Sequence, residues 1–384
     1  MAAASIQMIE RLVAFDTTSA LSNLALIDDV RGYLAGFGVE SRLTYNAEKT
    51  KANLYATIGP KDQGGVVLSG HTDVVPVAGQ NWSGDPFTVR RADGRLYGRG
   101  TSDMKSFIAV ALALVPELVK RRPKTPIHFA FSFDEEVGCH GARHLVRDIV
   151  ANLPRPRMVI VGEPTMMKLV NAHKGAASYE VAITGVEGHS SAPQRGANAI
   201  FAAVEMIAEV LRIQEEFKAK ADPKCGFEPP YATFNVGTIE GGTAGNIIPN
   251  KCRFKLELRV LPGDSEAPVI ERIQDFARRR IEPALKRAGS HAGISWQELA
   301  LVPPLTPLAD SPAEALIRLL TGLNESGTAA YGTEAGLFQQ GGMPAVIFGP
   351  GDIAQAHQPD EFIDVAQVEA CEAFMLKLAD WAAK

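Results

Sequence analysis

Histidines and carboxylates in this chain fall into short clusters whose spacing suits metal-assisted hydrolysis. The sequence reads Ser69-Gly70-His71-Thr72-Asp73, then Asp103, then Asp134-Glu135-Glu136, then Glu163. Imidazole and carboxylate donors without clustered cysteines favour a hydrolytic zinc or similar divalent site. Two ions held close together can clamp the attacking and leaving oxygens of a hydrolysis. In this reading His71 is a ligand. Asp73 orients its ring, because residues i and i+2 of a strand share a face. Asp103 is a short carboxylate shared by two ions, and Gly98 and Gly100 let the preceding loop turn tightly. Three consecutive carboxylates at 134–136 repel one another unless cations or protons intervene. Glu136 is read as a ligand. Glu135 is read as the general base that takes a proton from the activated water and passes it to the leaving amine. Each cluster alone also has a plainer reading: a His-x-Asp pair can be purely structural, and an acidic triplet can be solvated loop charge.

These residues need a frame, and the apolar pattern supplies one. The run 66–70 predicts a strand apolar on both faces that ends on His71. Residues 127–133 predict a strand ending on the acidic triplet, and 158–161 one ending on Gly162-Glu163-Pro164. Helices are predicted over 6–15, 23–37 with Ser22 as N-cap, 105–119 and 141–150. A strand at 345–348 and a helix over 365–382 close the chain. The fold class is α/β: a mixed, largely parallel sheet flanked by helices, which binds ligands beyond the carboxyl ends of its strands. The pattern changes after residue 173. A strand at 179–184, a helix over 198–217, strands at 233–239 and 253–260 and a helix over 267–288 describe a small inserted α+β unit. The chain is expected to return to the first domain around 294–302. The domains are therefore a discontinuous metal-binding domain, 1–174 with 295–384, and an insert, 175–294.

Composition narrows the possible partners. The chain has 384 residues, 22% of them charged, and a net charge of −5. With no basic patch, nucleic acid is excluded as an expected partner. The four cysteines form no CxxC pair, so they are read as reduced thiols. The apolar stretch 107–115 is too short to span a bilayer. The N-terminus lacks a basic segment followed by a long apolar one. The expectation is a cytoplasmic protein with no membrane partner. His128 inside a strand, His173 near the domain hinge and His291 in a polar loop are assigned structural roles, as are His140 and His144, which stand four apart but without an HExxH pattern.

Five ordered motifs together resemble one family. They are Ser69-Gly70-His71-Thr72-Asp73, Gly98-Arg99-Gly100-Thr101-Ser102-Asp103-Met104-Lys105, Asp134-Glu135-Glu136, Gly162-Glu163-Pro164 and Gly188-His189-Ser190-Ser191-Ala192-Pro193. The resemblance is to the co-catalytic zinc amidohydrolases and peptidases, which include acetylornithine deacetylases, succinyl-diaminopimelate desuccinylases, aminoacylases and carboxypeptidases. It implies a zinc-peptidase-like fold and two divalent ions, zinc with cobalt as the alternative. Asp103 would bridge them, His71 and Glu163 would complete one site, and Glu136 and His357 the other. Asp73 would support His71, and Glu135 would be the base. A cis peptide is implied before Met104. In dimeric relatives the histidine matching His189 reaches the partner subunit's site and steadies the developing oxyanion. The insert is thus implied to be a lid and dimerisation domain, and the protein a homodimer. Asn246 and Arg259 match substrate-holding positions, and arginine suits an α-carboxylate. Ser106 stands where relatives usually have glycine.

Further stretches, at 80–88, 171–175, 227–231, 331–336 and 349–362, look most like the acetylornithine-hydrolysing branch. The small-molecule substrate implied is an N-acyl amino acid. The reaction is N2-acetyl-L-ornithine plus water giving L-ornithine and acetate, a step of arginine biosynthesis. Succinyl-diaminopimelate or a broader range of N-acyl amino acids is the alternative. Glu334 is expected to pair with the δ-ammonium of the substrate. A non-catalytic ligand-binding role is disfavoured, because all five ligands and the base are present.

Overall fold

The computed structural model describes residues 2–384, and its contacts divide the chain into two units. One holds the chain up to Ala172 together with Leu305–Thr328 and Thr333–Lys384. The other holds His173–Pro304 and Ala329–Gly332.

The first unit is built on an eight-stranded sheet. Its order is Ser41–Tyr45, Ala52–Ile58, Ile127–Ser132, Val66–His71, Met158–Val161, Ala345–Ile347, Val170–His173, Gly327–Ala329. The four neighbours from Ile127–Ser132 to Ala345–Ile347 run parallel, and antiparallel strands flank them. Strands Val66–His71 and Ile127–Ser132 are buried at every position, as their unbroken apolar character requires when both faces are covered. Val66 and Leu68 join a core with Leu12, Val13, Phe107 and Ile108, so Val67 points to the opposite face. Helix Lys105–Ala113 packs on strand Val66–His71. Helices Ala2–Val13 and Val365–Ala382 pack on that helix. Lys105 is fully buried, and its Nζ donates to the carbonyls of Leu12 and Phe15 at 3.2 and 2.8 Å. It thereby satisfies carbonyls at the C-terminal end of the first helix, where a cation is favoured.

The second unit is a four-stranded antiparallel sheet in the order Thr233–Gly241, Lys251–Val260, Gly175–Thr184, Gly293–Val302. Its core joins Val181, Phe254, Leu256 and Leu258 of the sheet to Met206 and Val210 of helix Ala199–Ala219 and Ile270 and Ile273 of Glu266–Phe276.

Several expectations need correction. Residues 294–302 do not lead back to the first domain. They form strand Gly293–Val302, which pairs with Gly175–Thr184, so the division falls after Pro304 rather than at 294/295. Alternation in a sequence identifies a strand but not its partner. The helix expected over 105–119 is two, Lys105–Ala113 and Val115–Arg121, because Pro116 lacks the N–H that a continuous helix needs. The helix expected over 267–288 is interrupted by a π-turn at Ala277–Ile281, with Pro283 in the first turn of Glu282–Ala288. The second helix runs Leu24–Gly36 with Asn23 at the cap position, one residue later than expected, while the Ser22 Oγ accepts from the Leu24 N–H at 3.2 Å. The Asn23 side chain exchanges two hydrogen bonds with the Ala52 backbone instead. Among the described residues no helix is long and apolar enough to cross a membrane.

Candidate metal centre

The four parallel strands end side by side, and each delivers part of one cluster. His71 is the last residue of its strand. Glu135 and Glu136 follow Ile127–Ser132, Glu163 follows Met158–Val161, and His357 lies on the segment after Ala345–Ile347. Asp103 comes from the loop before helix Lys105–Ala113, in which Gly100 has φ +84, a backbone conformation open to glycine. The Asp103–Met104 peptide is cis.

Asp103 faces both histidines. Its Oδ1 lies 2.9 Å from His71 Nε2, and its Oδ2 lies 3.5 Å from His357 Nε2. Glu163 Oε1 is 3.7 Å from His71 Nε2, and Glu136 Oε2 is 3.0 Å from His357 Nε2. Ligand atoms of His71, Asp103 and Glu136 lie within 4.8 Å of one another, as do those of His71, Glu135 and Glu163. The acidic triplet therefore splits. Asp134 turns to Lys51, whose Nζ donates to its Oδ1 at 2.5 Å, while its two neighbours enter the cluster.

The charges in this cluster are crowded. Burial pushes the Glu135 carboxyl up to about 8, and neighbouring Glu136 and Asp103 add to the rise. Burial and the Asp103 charge bring Glu136 to about 7. Glu163, buried and facing Asp103, is raised well above the ordinary glutamate value. Burial also works against ionised Asp103, but hydrogen bonds from His357 and His71 outweigh it and hold its carboxyl low. Its own bonds to Asp103 and Glu136 in turn raise His357 to about 10, against its burial. Crowded buried carboxylates keep protons where cations are absent. Divalent ions displace such protons when they bind. The donor set of imidazole nitrogens and carboxylate oxygens suits zinc, cobalt or manganese. His71 is also oriented for it: Nδ1–H donates to the Asp73 carbonyl at 2.9 Å, which leaves Nε2 aimed into the cluster.

Asp73 does more than the sequence implied, and by a different route. Its carboxylate is 3.7 Å from His71 Nδ1, too far for a hydrogen bond. It accepts instead from the backbone N–H of Glu135 at 3.0 Å, the backbone N–H of Glu136 at 3.3 Å and the Ser19 hydroxyl at 2.7 Å. Its main-chain carbonyl holds His71, and its side chain holds the loop that carries the glutamates. The buried Cys139 thiol donates to Glu135 Oε1 at 3.2 Å.

Glu334 is placed differently from the expectation. It is 0% exposed, and its two oxygens accept from the hydroxyls of Ser69 and Ser132 at 2.5 and 2.6 Å. A substrate ammonium has no access to a carboxylate so enclosed, so the expected substrate contact is corrected to a buried tie between two parallel strands. The remaining candidates lie in the second unit. His189 pairs with Ile247 in a two-stranded ribbon, is exposed, and sits 2.7 Å from Ser191 Oγ through Nδ1. Asn246 is next to it: its carbonyl accepts from Ser190 N–H at 3.0 Å. Arg259 is on strand Lys251–Val260 and forms an ion pair with Glu257 at 2.7 Å. Three supporting residues escaped sequence reasoning: Gln80, Arg99 and Glu361. Each lies inside a quoted motif, but only the folded loops reveal their partners.

Residues 67–381 match the model of Peptidase family M20/M25/M40. An acetylornithine deacetylase of Myxococcus xanthus is 37% identical over 377 residues, spanning 95% of this chain and 94% of that protein. One from Yersinia pseudotuberculosis is 36% identical over 377 residues, spanning 96% and 93%. Among solved structures, the M20 family metallo-carboxypeptidase Sso-CP2 of Sulfolobus solfataricus superposes with a TM-score of 0.76 over 99% of both chains at 18% identity. The YXEP protein of Bacillus subtilis, a dinuclear metal-binding peptidase, gives 0.64 over 98% of both at 17% identity. The structural likenesses establish the fold. The sequence match runs from the strand that carries His71 into the terminal helix, and on that ground this chain belongs to peptidase family M20/M25/M40.

Proposed function

We propose that this protein is a two-metal amide hydrolase that converts N2-acetyl-L-ornithine and water to L-ornithine and acetate. The observation that carries the reading is Asp103, buried, with one carboxylate oxygen toward His71 and the other toward His357. His71 and Glu163 would hold one ion, Glu136 and His357 the other, and Asp103 both. When bound, divalent ions would supply Lewis acidity, favouring loss of a proton from water and polarising an amide carbonyl. Glu135 reaches the cluster beside His71 and Glu163, placed to take a proton from the attacking water and return it to the departing amine once bound ions have displaced its own proton. Cys139 and the Asp73-bound backbone fix its position. Relatives named acetylornithine deacetylase, matched over nearly their whole length, support the choice of substrate.

His189 is read as the oxyanion donor offered to a partner subunit, with Asn246 beside it on the same lid. Arg259 is read as exchanging Glu257 for the substrate carboxylate. The homodimer reading draws on Phe201, Val204 and Leu211, which lie exposed on helix Ala199–Ala219. A cytoplasmic role in arginine biosynthesis, with zinc or cobalt as the metal, completes the proposal.

Purified protein stripped of metal, then loaded with zinc or cobalt, is to be given acetylornithine, succinyl-diaminopimelate and acetylmethionine at equal concentration. The proposal expects metal-dependent release of ornithine to be fastest. Faster turnover of either competitor overturns the substrate, and equal turnover without metal overturns the chemistry.

A further inference from the structure

One hydrogen-bonded network joins the backbones of both candidate ligand loops through a carboxylate that touches neither ligand side chain. Glu361 is 1% exposed and accepts four hydrogen bonds. Its Oε1 takes the N–H groups of Ser102 at 2.8 Å and Asp103 at 3.0 Å. Its Oε2 takes Arg99 Nη1 at 2.7 Å and Gly100 N–H at 3.1 Å. Its main-chain carbonyl accepts from Gly98 N–H at 2.8 Å. The turn that presents Asp103 is thus wrapped around residue 361.

The network continues toward His357. Arg99, also 1% exposed, donates from Nη2 to Gln80 Oε1 at 2.5 Å. Gln80 Nε2 donates to the His357 carbonyl at 2.8 Å. The Trp82 indole N–H donates to Gln80 Oε1 at 3.1 Å, which fixes the amide orientation. His357 holds φ +65, an uncommon backbone state for a non-glycine residue. Such a residue is held by its surroundings, and the Gln80 bond is the contact the structure gives its carbonyl.

We propose that Glu361 is a positioning residue for the metal centre: through Arg99 and Gln80 it locks the Asp103 turn and the His357 segment together, and so governs how tightly the ion between them is retained. The inference rests on the ligand assignment made above. All four neighbours of the Glu361 carboxylate are donors, so the isosteric Glu361→Gln has no satisfactory orientation. Its amide NH2 must confront either the Ser102 and Asp103 N–H groups or Arg99 and Gly100. Gln80→Glu is the milder probe. It keeps an acceptor for Arg99 and Trp82 but sets a carboxylate oxygen against the His357 carbonyl.

The test is titration of the full-length, metal-stripped variants with zinc against a competing chelator, together with the absorption spectrum of the cobalt-loaded forms. Glu361→Gln should retain one ion about 10- to 100-fold more weakly, the range typical of supporting partners, and should alter the cobalt spectrum. Gln80→Glu should shift both readouts in the same direction by a smaller factor. A merely structural role would lower the melting temperature of the metal-free protein and leave the affinity of its folded form unchanged. Should Glu361→Gln fail to fold, Gln80→Glu decides. Wild-type affinities and spectra in both variants, alongside metal loss in Asp103→Ala, would overturn this inference alone. Full metal loading in Asp103→Ala would overturn the ligand assignment beneath it.

Discussion

Asp73→Asn tests whether the aspartate works through its imidazole neighbour or through the loop of the glutamates. The carboxylate accepts from two backbone N–H groups, of Glu135 and Glu136, one at each oxygen. An asparagine has one carbonyl oxygen, so in either flip one N–H faces an amide NH2 instead of an acceptor. A buried donor left unsatisfied costs about 1–3 kcal/mol. If that strain is relieved by displacing Glu135 and Glu136, it corresponds to a loss of about 5- to 150-fold in kcat/KM. The main-chain carbonyl that holds His71 is untouched by the substitution, so His71 should keep its tautomer. The assay is steady-state hydrolysis of acetylornithine with metal content measured on the same samples. Ser19→Ala is the control: it removes the hydroxyl donor at 2.7 Å and leaves both backbone bonds, so its loss should stay below about fivefold, in keeping with one hydrogen bond of about 1 kcal/mol. Wild-type kcat/KM in Asp73→Asn, or a larger loss in Ser19→Ala, would refute the reasoning.

Glu135→Gln should keep its full complement of metal while kcat falls about 10²- to 10⁴-fold; metal analysis and turnover on one preparation check this, and undiminished kcat removes Glu135 as base. His128 gives a pH prediction. Burial lowers its imidazole from 6.5 to about 4, so the unfolded chain protonates first. Its contribution to stability is full above about pH 6.5 and is lost as pH falls to about 4. Urea midpoints for metal-free protein should fall across that window, and His128→Gln should flatten the fall; equal pH slopes in the two proteins would speak against it. Gly162→Ala should destabilise severely, because an added Cβ would lie 2.0 Å from the Phe107 ring, beyond the strain of about 1–3 kcal/mol that ordinary overpacking imposes. A melting temperature within a degree of wild type would contradict that packing.

The candidate centre was legible where chemistry sits at the end of an apolar run. His71, Glu135, Glu136 and Glu163 all close strands that the sequence marks clearly, and a parallel sheet brings such ends together. What it hid were relations between distant segments. Gly293–Val302 alternates plainly as a strand, yet nothing in it names Gly175–Thr184 as its partner. Glu334 reads like any acidic residue before a short helix, and only the meeting of Ser69 and Ser132 makes it a buried tie. Glu361 follows Asp360 in a polar stretch and looks solvated, although the turn at 98–103 encloses it. Asp73 shows the same limit in finer form. The spacing of His71 and Asp73 suggests contact through the carboxylate, whereas the Asp73 carbonyl meets the ring, a matter of backbone direction that spacing does not encode.

The order of strands across the parallel sheet has a consequence for biosynthesis. His71, Asp103, Glu136 and Glu163 leave the ribosome early, but strand Ala345–Ile347 is the parallel neighbour of Met158–Val161 and arrives only after the whole second unit has been made. His357 follows it. A nascent chain therefore carries a half-built, strongly acidic nest while the whole second unit is made, with an open edge on the Met158–Val161 strand. If His357 completes a metal site as proposed, that site closes only after the last parallel strand inserts, and a chain truncated before residue 345 should combine weaker metal retention with an exposed strand edge prone to association.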